Sequence, residues 1–171
     1  MANLMQIQSE NTVQAVQDQA GQYLSFLVGG ESFAVSILDV KEIIEITKVT
    51  HVPLTPDFIY GVINLRGNVV PVIDLSARLK NRRAEISKRS CIILVAVGAL
   101  QESQLIGMLV DEVREILEIQ NTDIQSPPDF GANIRTDFIQ GMARVGDSFI
   151  ILMAINRVLS SEDISALAAL A

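Results

Sequence analysis

The chain has little of the chemistry on which enzymes and metal proteins depend. Its 171 residues include one cysteine, one histidine and no tryptophan, and aromatic residues make up 5%. A single cysteine excludes an intrachain disulfide. Cys91 opens an apolar run, where a thiol usually acts as a small buried hydrophobe, and the only histidine, His51, lies in a proline-flanked loop. The sequence contains no phosphate-binding glycine loop and no paired metal ligands. We therefore predict that the protein is not an enzyme and holds no metal or cofactor.

Positive charge is also scarce. The chain has 13 Lys and Arg against 20 Asp and Glu, a net charge of −7. A nucleic-acid binder needs basic side chains that neutralise phosphates along one face. The only dense basic stretch, residues 80–89, lies between hydrophobic segments, and we interpret it as a solvated loop. We expect no nucleic-acid partner.

Long hydrophobic runs are missing too. No apolar stretch approaches the ~20 residues that a helix needs to span a bilayer. The first 20 residues are polar and Gln-rich, without the basic and apolar regions of a signal peptide. We expect a cytoplasmic protein without direct membrane insertion, in which residues 1–20 form a flexible segment.

The chain does have an internal duplication of aliphatic segments. Val40–Ile46 matches Val113–Ile119 at an offset of 73 residues, with five of seven positions identical. Asp57–Gly61 matches Asp137–Gly141 at an offset of 80, with four of five identical. Two matches in the same order indicate a duplicated structural unit of about 70 residues.

Each unit is predicted to consist mainly of short strands. Tyr23–Val28 ends at Gly29–Gly30, and the strand Ser32–Ser36 follows, which is typical of a hairpin. Phe58–Leu65 and Val69–Leu75 flank a tight turn at residues 66–68, in which Gly67 can take a positive φ. Many short strands in a small unit favour a β-barrel.

Two such units would pack on a shared core, because each alone buries little surface. We expect one domain over residues 21–164, made of two intertwined barrels divided near 80–90. Between residues 39 and 46 we expect a helical turn that leads into a strand. Ser160–Leu170 has capping serines followed by acidic and helix-forming residues, which predicts a C-terminal helix whose end and tail are residues 165–171.

Candidate functional residues lie on the surface. Glu42 and Arg66 stand in otherwise apolar segments, and Arg66 occupies a turn that two strands hold rigid. Either residue could simply be a solvated charge. Phe130 follows two prolines, so it either closes the second barrel or serves as an exposed anchor. Asp74 and Asp111 are isolated carboxylates beside apolar runs, and such residues usually cap turns.

The run from Gly61 to Leu75 resembles the signature of the CheW family. Its elements here are Asn64-Leu65-Arg66-Gly67 and the segment Val69–Leu75, and the resemblance extends from about Gln22 to Ile164. The regulatory domain of the CheA kinase and part of the CheV adaptors share this signature, but the chain has no room for their other domains. The resemblance implies a mainly β fold of two SH3-like, five-stranded barrels.

The resemblance also implies a function. CheW proteins bridge methyl-accepting chemotaxis receptors to a CheA-type histidine kinase, without catalysis, in membrane-attached arrays where further CheW copies can form rings. Carried over by position, six residues fall on the surface that faces receptor and kinase: Val40, Glu42, Ile43, Gly61, Asn64 and Arg66. Gln125 and Phe130 fall where the second barrel would contact the kinase or neighbouring adaptors. Met153-Ala154 departs from the Leu-Asp that many members carry there.

Two other functions remain open at this point. The protein could be a CheW-like adaptor of another chemosensory pathway, one that controls pili or gene expression, because the signature does not separate these. It could also be a β-barrel that binds a small molecule, which would require a pocket with convergent polar groups.

Overall fold

The computed structural model describes residues 21–98, 103–127 and 137–170, and within them most of the chain is β-strand. In chain order the strands are β1 (Gly21–Val28), β2 (Glu31–Ser36), β3 (Val40–Glu45), β4 (Ile59–Leu65), β5 (Asn68–Asp74), β6 (Cys91–Val97), β7 (Gln104–Val110), β8 (Glu112–Ile119), β9 (Ile124–Gln125), β10 (Ile139–Val145) and β11 (Ser148–Met153). The helices are α1 (Leu75–Lys80), α2 (Ile155–Val158) and α3 (Ser161–Ala168). Short 3-10 turns cover Ile37–Asp39 and Asn121–Asp123.

The strands form two sheets, and each sheet takes strands from both repeats. The six-stranded sheet has the order β8-β1-β2-β11-β10-β9, and the five-stranded sheet has the order β3-β6-β7-β5-β4. The third strand of each repeat therefore leaves its own hairpin and pairs with the first strand of the other repeat. β3 pairs with β6, and β8 pairs with β1. The region 80–90 separates the repeats along the chain but does not separate the sheets.

The duplication is visible in the details of pairing. The hairpins β4–β5 and β10–β11 both shift register beside a glycine, at Gly61 and at Gly141. Each sheet contains one parallel pair, β2 with β11 and β5 with β7. In the six-stranded sheet the edge strand β9 pairs with β10 through only two residues. Its counterpart in the five-stranded sheet is the single bridge from Thr50 to Val62. The two sheets are thus versions of one five-stranded unit.

The described residues form three hydrophobic clusters. The largest lies between the sheets, with Phe26 and Phe33 from the six-stranded sheet and Ile93 and Met108 from the five-stranded one. Each sheet also curls around a cluster of its own, which includes Leu152 in one sheet and Ile63 in the other. A barrel interior on each side of a common core is the arrangement that the small size of each repeat predicts.

The local predictions agree with these elements. Gly29 and Gly30, both with positive φ, connect β1 and β2, and the turn at Ile37–Asp39 leads directly into β3. Asp74 caps α1 by accepting a hydrogen bond from the Ala77 N–H. Its counterpart Ala154 precedes α2 and makes no side-chain cap, so the departure at that position removes one cap and leaves the fold intact.

The predicted C-terminal helix is α3, and its start is fixed by a capping box. The Ser160 hydroxyl accepts from the Asp163 N–H, and the Asp163 carboxylate accepts from the Ser160 N–H. Asp163 also forms an ion pair with Arg78 of α1 at 2.9 Å. Arg78 further donates to the carbonyl of Val158 and lies over the ring of Phe58. One arginine therefore holds α3 against the five-stranded sheet.

Candidate functional site

The site centres on an ion pair between two sequence-predicted residues, Glu42 and Arg66. An Arg66 guanidinium nitrogen, Nη2, donates to Glu42 Oε1 at 2.7 Å. Glu42 lies on β3, and Arg66 follows β4; these two strands are the opposite edges of the five-stranded sheet. The ion pair therefore spans the seam at which the sheet curls back on itself. Because the two side chains are 70% and 37% exposed, the pair is also accessible to a partner.

Arg66 has an unusual backbone conformation. The turn between β4 and β5 consists of Arg66 and Gly67, with φ values of 51° and 87°. Positive φ at both central residues is the conformation of the tightest hairpin turns, where Asn-Gly is the preferred pair. A non-glycine residue in this region costs about 1–2 kcal/mol. Asn64 supports the turn, because its side-chain oxygen accepts from the Gly67 N–H at 2.9 Å.

The turn presents Arg66 as a partly satisfied cation on a fixed backbone. Only Nη2 has a partner among the described residues, so Nε and Nη1 remain available for a carboxylate. Asn64 is exposed beside it, although its carbonyl oxygen is engaged with Gly67. The other sheet differs at this point. Its corresponding turn carries Gly146 where Arg66 stands, so the seam there has no cation from the turn.

Four of the seven large apolar side chains exposed in the described ranges form two pairs that the duplication relates. Ile43 on β3 and Ile116 on β8 differ by the offset of 73, and they are 43% and 57% exposed. Val69 on β5 and Phe149 on β11 differ by the offset of 80, and they are 48% and 47% exposed. Large apolar residues that stay exposed at equivalent positions of both barrels indicate two related contact surfaces. Of these four residues, the sequence identified only Ile43; the signal that could have found the others is the repeat alignment itself.

The remaining predicted residues have different environments. Val40 begins β3, is half-buried and packs against the core between the sheets. Gly61 is buried, and a Cβ there would lie 2.5 Å from the carbonyl oxygen of Thr50. Its evident role is to let the segment at Thr50 approach β4, so it would influence a partner only through that segment.

Gln125 lies in the other sheet, away from the ion pair. It forms β9 with Ile124 and pairs with Met142 of β10. Its side chain is exposed, and its place corresponds to Thr50 at the edge of the five-stranded sheet. Phe130 lies outside the described residues. The structure thus brings Glu42, Asn64 and Arg66 together, leaves Ile43 exposed next to Glu42 on β3, and places Gln125 on a second surface.

Groups suited to metal binding do not converge in the described ranges. No cluster of three His, Cys, Asp or Glu side chains that could hold a metal occurs in residues 21–98, 103–127 and 137–170. Burial raises the pKa of the Cys91 thiol above its ordinary value, with the nearby Glu112 acting in the same direction and a backbone hydrogen bond from Val113 opposing it. A neutral, half-buried thiol is a poor nucleophile. Within the same ranges, no helix is long and apolar enough to cross a membrane.

A polar pocket lies beside the loop that precedes β4. Its volume is about 270 Å³, and His51, Asp57, Asp74 and Arg83 contribute to its lining. The Asp74 carboxylate already accepts two backbone hydrogen bonds, from Ala77 and Ala84. His51 Nδ1 is 2.9 Å from the carbonyl oxygen of Tyr60. His51 and Asp74 are therefore already engaged by backbone groups of the fold, so the pocket gives little support to a small-molecule function.

Two small barrels on a common core, with an exposed ion pair and duplicated apolar surface residues, define the protein as a β-barrel interaction module. The CheW-like domain family model matches residues 22–163. The chain therefore belongs to the CheW-like family, and the family prediction is confirmed.

Named relatives span nearly the same length. The chemotaxis protein CheW of Rhizobium meliloti (strain 1021) is 35% identical over 153 residues, which cover 90% of this chain and 96% of that protein. The chemotaxis protein CheW of Klebsiella aerogenes is 33% identical over 144 residues, 84% of each chain. The crystal structure of the scaffolding protein TtCheW from Thermoanaerobacter tengcongensis matches with a TM-score of 0.74 and 33% identity, over 84% of this chain and 90% of that one. The prediction of a mainly β fold with two SH3-like barrels is confirmed.

Proposed function

We propose that this protein is a non-catalytic chemotaxis adaptor of the cytoplasm that couples methyl-accepting receptors to a CheA-type histidine kinase at membrane-attached arrays. The observation that carries the proposal is the ion pair of Glu42 and Arg66, held on a rigid turn at an exposed barrel seam. The relatives named chemotaxis protein CheW, and the scaffolding role stated for TtCheW, support it.

The duplicated surface explains how one small protein could serve two partners. The five-stranded barrel offers Ile43 and Val69 together with the ion pair. The six-stranded barrel offers Ile116 and Phe149, with Arg144 opposite Phe149 but no arginine at the turn position of Arg66. The two surfaces are similar in apolar content but differ in where the arginine lies, so they can select different partners. An adaptor that binds both partners at once raises their effective concentration for one another. Such surfaces would also suit contacts between adaptor copies in array rings.

Signal transfer needs more than attachment. The receptor must bind differently to the adaptor in its two signalling states, by a coupling free energy of about 1–3 kcal/mol. Arg66 is suited to this role, because Nε and Nη1 can donate to a carboxylate of a partner while Nη2 stays bonded to Glu42. A charge-assisted hydrogen bond contributes about 1.5–3 kcal/mol. A change at this single residue could therefore account for the required coupling.

The experiment compares Arg66→Ala with Arg157→Ala in a reconstituted mixture of receptor-containing membranes and kinase. Arg157 is the matched control, because it is an exposed arginine on α2, outside both apolar surfaces. We expect Arg66→Ala to fold normally and to reduce kinase activation about tenfold or more, while Arg157→Ala leaves activation unchanged. Unchanged activation by a stable Arg66→Ala variant would remove the basis of the assignment.

Co-sedimentation shows whether the protein binds receptor membranes, the kinase or both. Wild-type protein should pellet with receptor membranes in the absence of kinase and should carry kinase into the pellet. An adaptor of a pathway that controls pili or gene expression would have the same surfaces but would bind other receptors. Failure to pellet with chemotaxis receptors, together with normal binding of a CheA-type kinase, would favour that pathway.

A further inference from the structure

Residues 80–89 concentrate positive charge in an acidic protein. This segment, referred to below as the basic loop, contains five of the chain's 13 Lys and Arg residues and one Glu, a formal charge of +4. Because the chain as a whole carries −7, the other residues together carry −11. Charge is therefore strongly segregated along this chain.

The backbone of the basic loop is anchored. The N–H of Ala84 donates to the buried Asp74 carboxylate at 2.9 Å, and Ala84 packs against the interior of the five-stranded sheet. The N–H of Ser87 donates to the Ser90 hydroxyl at 2.8 Å, and the N–H of Ser90 returns a bond to the Ser87 carbonyl. The interpretation of this stretch as a simple solvated loop is therefore incomplete: its side chains are exposed, but its backbone is fixed.

Three cations of the basic loop form no ion pair with the residues that the structure describes, although Arg83 lines the polar pocket with Asp57 and Asp74. Lys80 forms an ion pair with Glu31 at 3.1 Å, and Arg89 approaches Glu112 at 3.6 Å. The other three basic side chains are exposed and form no ion pair with any described residue: Arg82, Arg83 and Lys88. Ile86, which lies between them in sequence, is 49% exposed. The loop thus presents free cations around an aliphatic side chain.

The first part of the basic loop, with Arg82 and Arg83, follows the end of β5 that is far from the Arg66 turn. That turn precedes β5, whereas α1 and the loop follow the opposite end of this seven-residue strand. A strand of that length extends about 20 Å. A partner bound at Arg82 and Arg83 would therefore leave the Arg66 turn free.

We propose that the basic loop is a docking surface for a carboxylate-rich segment of a partner protein. Arg82 and Arg83 provide planar guanidinium groups that match carboxylates in a bidentate geometry. Ile86 supplies apolar contact inside the charged surroundings, as protein interfaces commonly do. An anchored backbone loses little conformational entropy on binding, which is the advantage of a preorganised surface. The proposal stands independently of receptor–kinase coupling.

Other polyanions fit the surface less well. Duplex DNA carries about one negative charge per 1.7 Å of its axis, so the −11 on the rest of the chain repels it more strongly than it repels a short acidic segment. The basic loop also has no aromatic residue on which a base could stack. An anionic lipid surface attracts each nearby cation by about 1 kcal/mol, and three cations with one isoleucine give only weak attachment. Protein carboxylates are therefore the favoured ligands.

The test measures binding of a fluorescein-labelled synthetic peptide of alternating Glu and Leu, with a Gln-Leu peptide, anionic vesicles and duplex DNA in parallel. The loop variant is Arg82→Glu/Arg83→Glu/Lys88→Glu. The matched control, Lys48→Glu/Arg144→Glu/Arg157→Glu, makes the same change in net charge at exposed positions elsewhere. Thermal melts of both variants establish that they are folded.

We expect the wild type to bind the Glu-Leu peptide and not the Gln-Leu peptide, with an affinity that falls as salt rises. The loop variant should lose about tenfold or more in affinity, and the control should lose less than about twofold. Equal losses in both variants would mean that only net charge matters and would overturn the proposal. Loop-dependent binding of vesicles or DNA without peptide binding would overturn it too, as would no peptide binding at about millimolar concentration.

Discussion

Replacing Arg66 by glycine should separate the binding role of this residue from its structural cost. Arg66 holds a φ of 51°, and a side chain in that conformation costs about 1–2 kcal/mol that glycine avoids. Arg66→Ala keeps this cost and removes the guanidinium. Arg66→Gly removes both. The two variants therefore lose the same binding group but differ in backbone strain.

The expected magnitudes follow from the geometry. The ion pair with Glu42 joins side chains that are 70% and 37% exposed, so its contribution to stability is small, below about 0.5 kcal/mol. Glycine also makes the unfolded chain more flexible, which offsets about 0.5–1 kcal/mol of the relieved strain. We expect Arg66→Gly to be more stable than Arg66→Ala by about 0.5–1 kcal/mol. In a chain of this size, that difference raises Tm by about 1–4 °C.

Urea unfolding measures the stability order, and the reconstituted kinase assay measures function. Both variants should lose kinase activation to the same extent, although glycine gives the more stable protein. If Arg66→Gly proves less stable than Arg66→Ala, the argument from the positive φ is wrong. If Arg66→Gly keeps full activation, the guanidinium is not the binding group.

Three further predictions concern other residues. Gly61→Ala should lower the free energy of unfolding by about 2 kcal/mol or more, because its Cβ would lie 2.5 Å from the Thr50 carbonyl oxygen. In Gly141→Ala the nearest atom to the new Cβ is a methyl group of Ile124, which can move. The same urea titration should therefore show a smaller loss of stability for Gly141→Ala. Asp74→Ala leaves two backbone N–H groups without their acceptor, so the free energy of unfolding should fall by about 2–4 kcal/mol. Amide hydrogen exchange at Ala84 should also accelerate. Exchange protection at Ala84 equal to that of the wild type would contradict the anchoring of the basic loop. Because burial raises the pKa of Cys91, its reaction with a thiol reagent should be slower than that of a free cysteine, should increase only at higher pH than for free cysteine, and should become rapid in urea.

The hairpins were predictable because their signals are local. Gly29-Gly30 and the turn around Gly67 punctuate alternating strands, and the match of Asp57–Gly61 with Asp137–Gly141 indicates the second hairpin from the first. The exchange of β3 and β8 between the repeats was not visible. Both strands carry nearly the same sequence, so pairing either one with β1 or with β6 buries the same kinds of side chain. The sequences of the two strands therefore do not distinguish these pairings.

The candidate site was partly predictable for a similar reason. Glu42 and Arg66 stand out individually because each is charged within an apolar segment. Their contact depends on the curl of the sheet, which brings its two edges together and which no local pattern encodes. The positive φ of Arg66 was also unexpected, since hairpin turns of this kind favour Asn before Gly. Val69 and Phe149 resemble core residues in sequence, and only the pleat of their strands shows that they point outward.

The exchange of strands has a consequence for how the protein could be divided. β1 pairs with β8, and the hydroxyl of Ser25 holds the backbone of Glu115 across 90 positions of sequence. A chain cut between the two repeats would give fragments that each lack the strand needed to complete a barrel and carry one that belongs to the other. Such fragments should be unfolded alone and should fold when mixed. The two barrels should therefore unfold together. Each barrel contains a strand from the other repeat, so a distortion of one barrel is passed along the chain to the other.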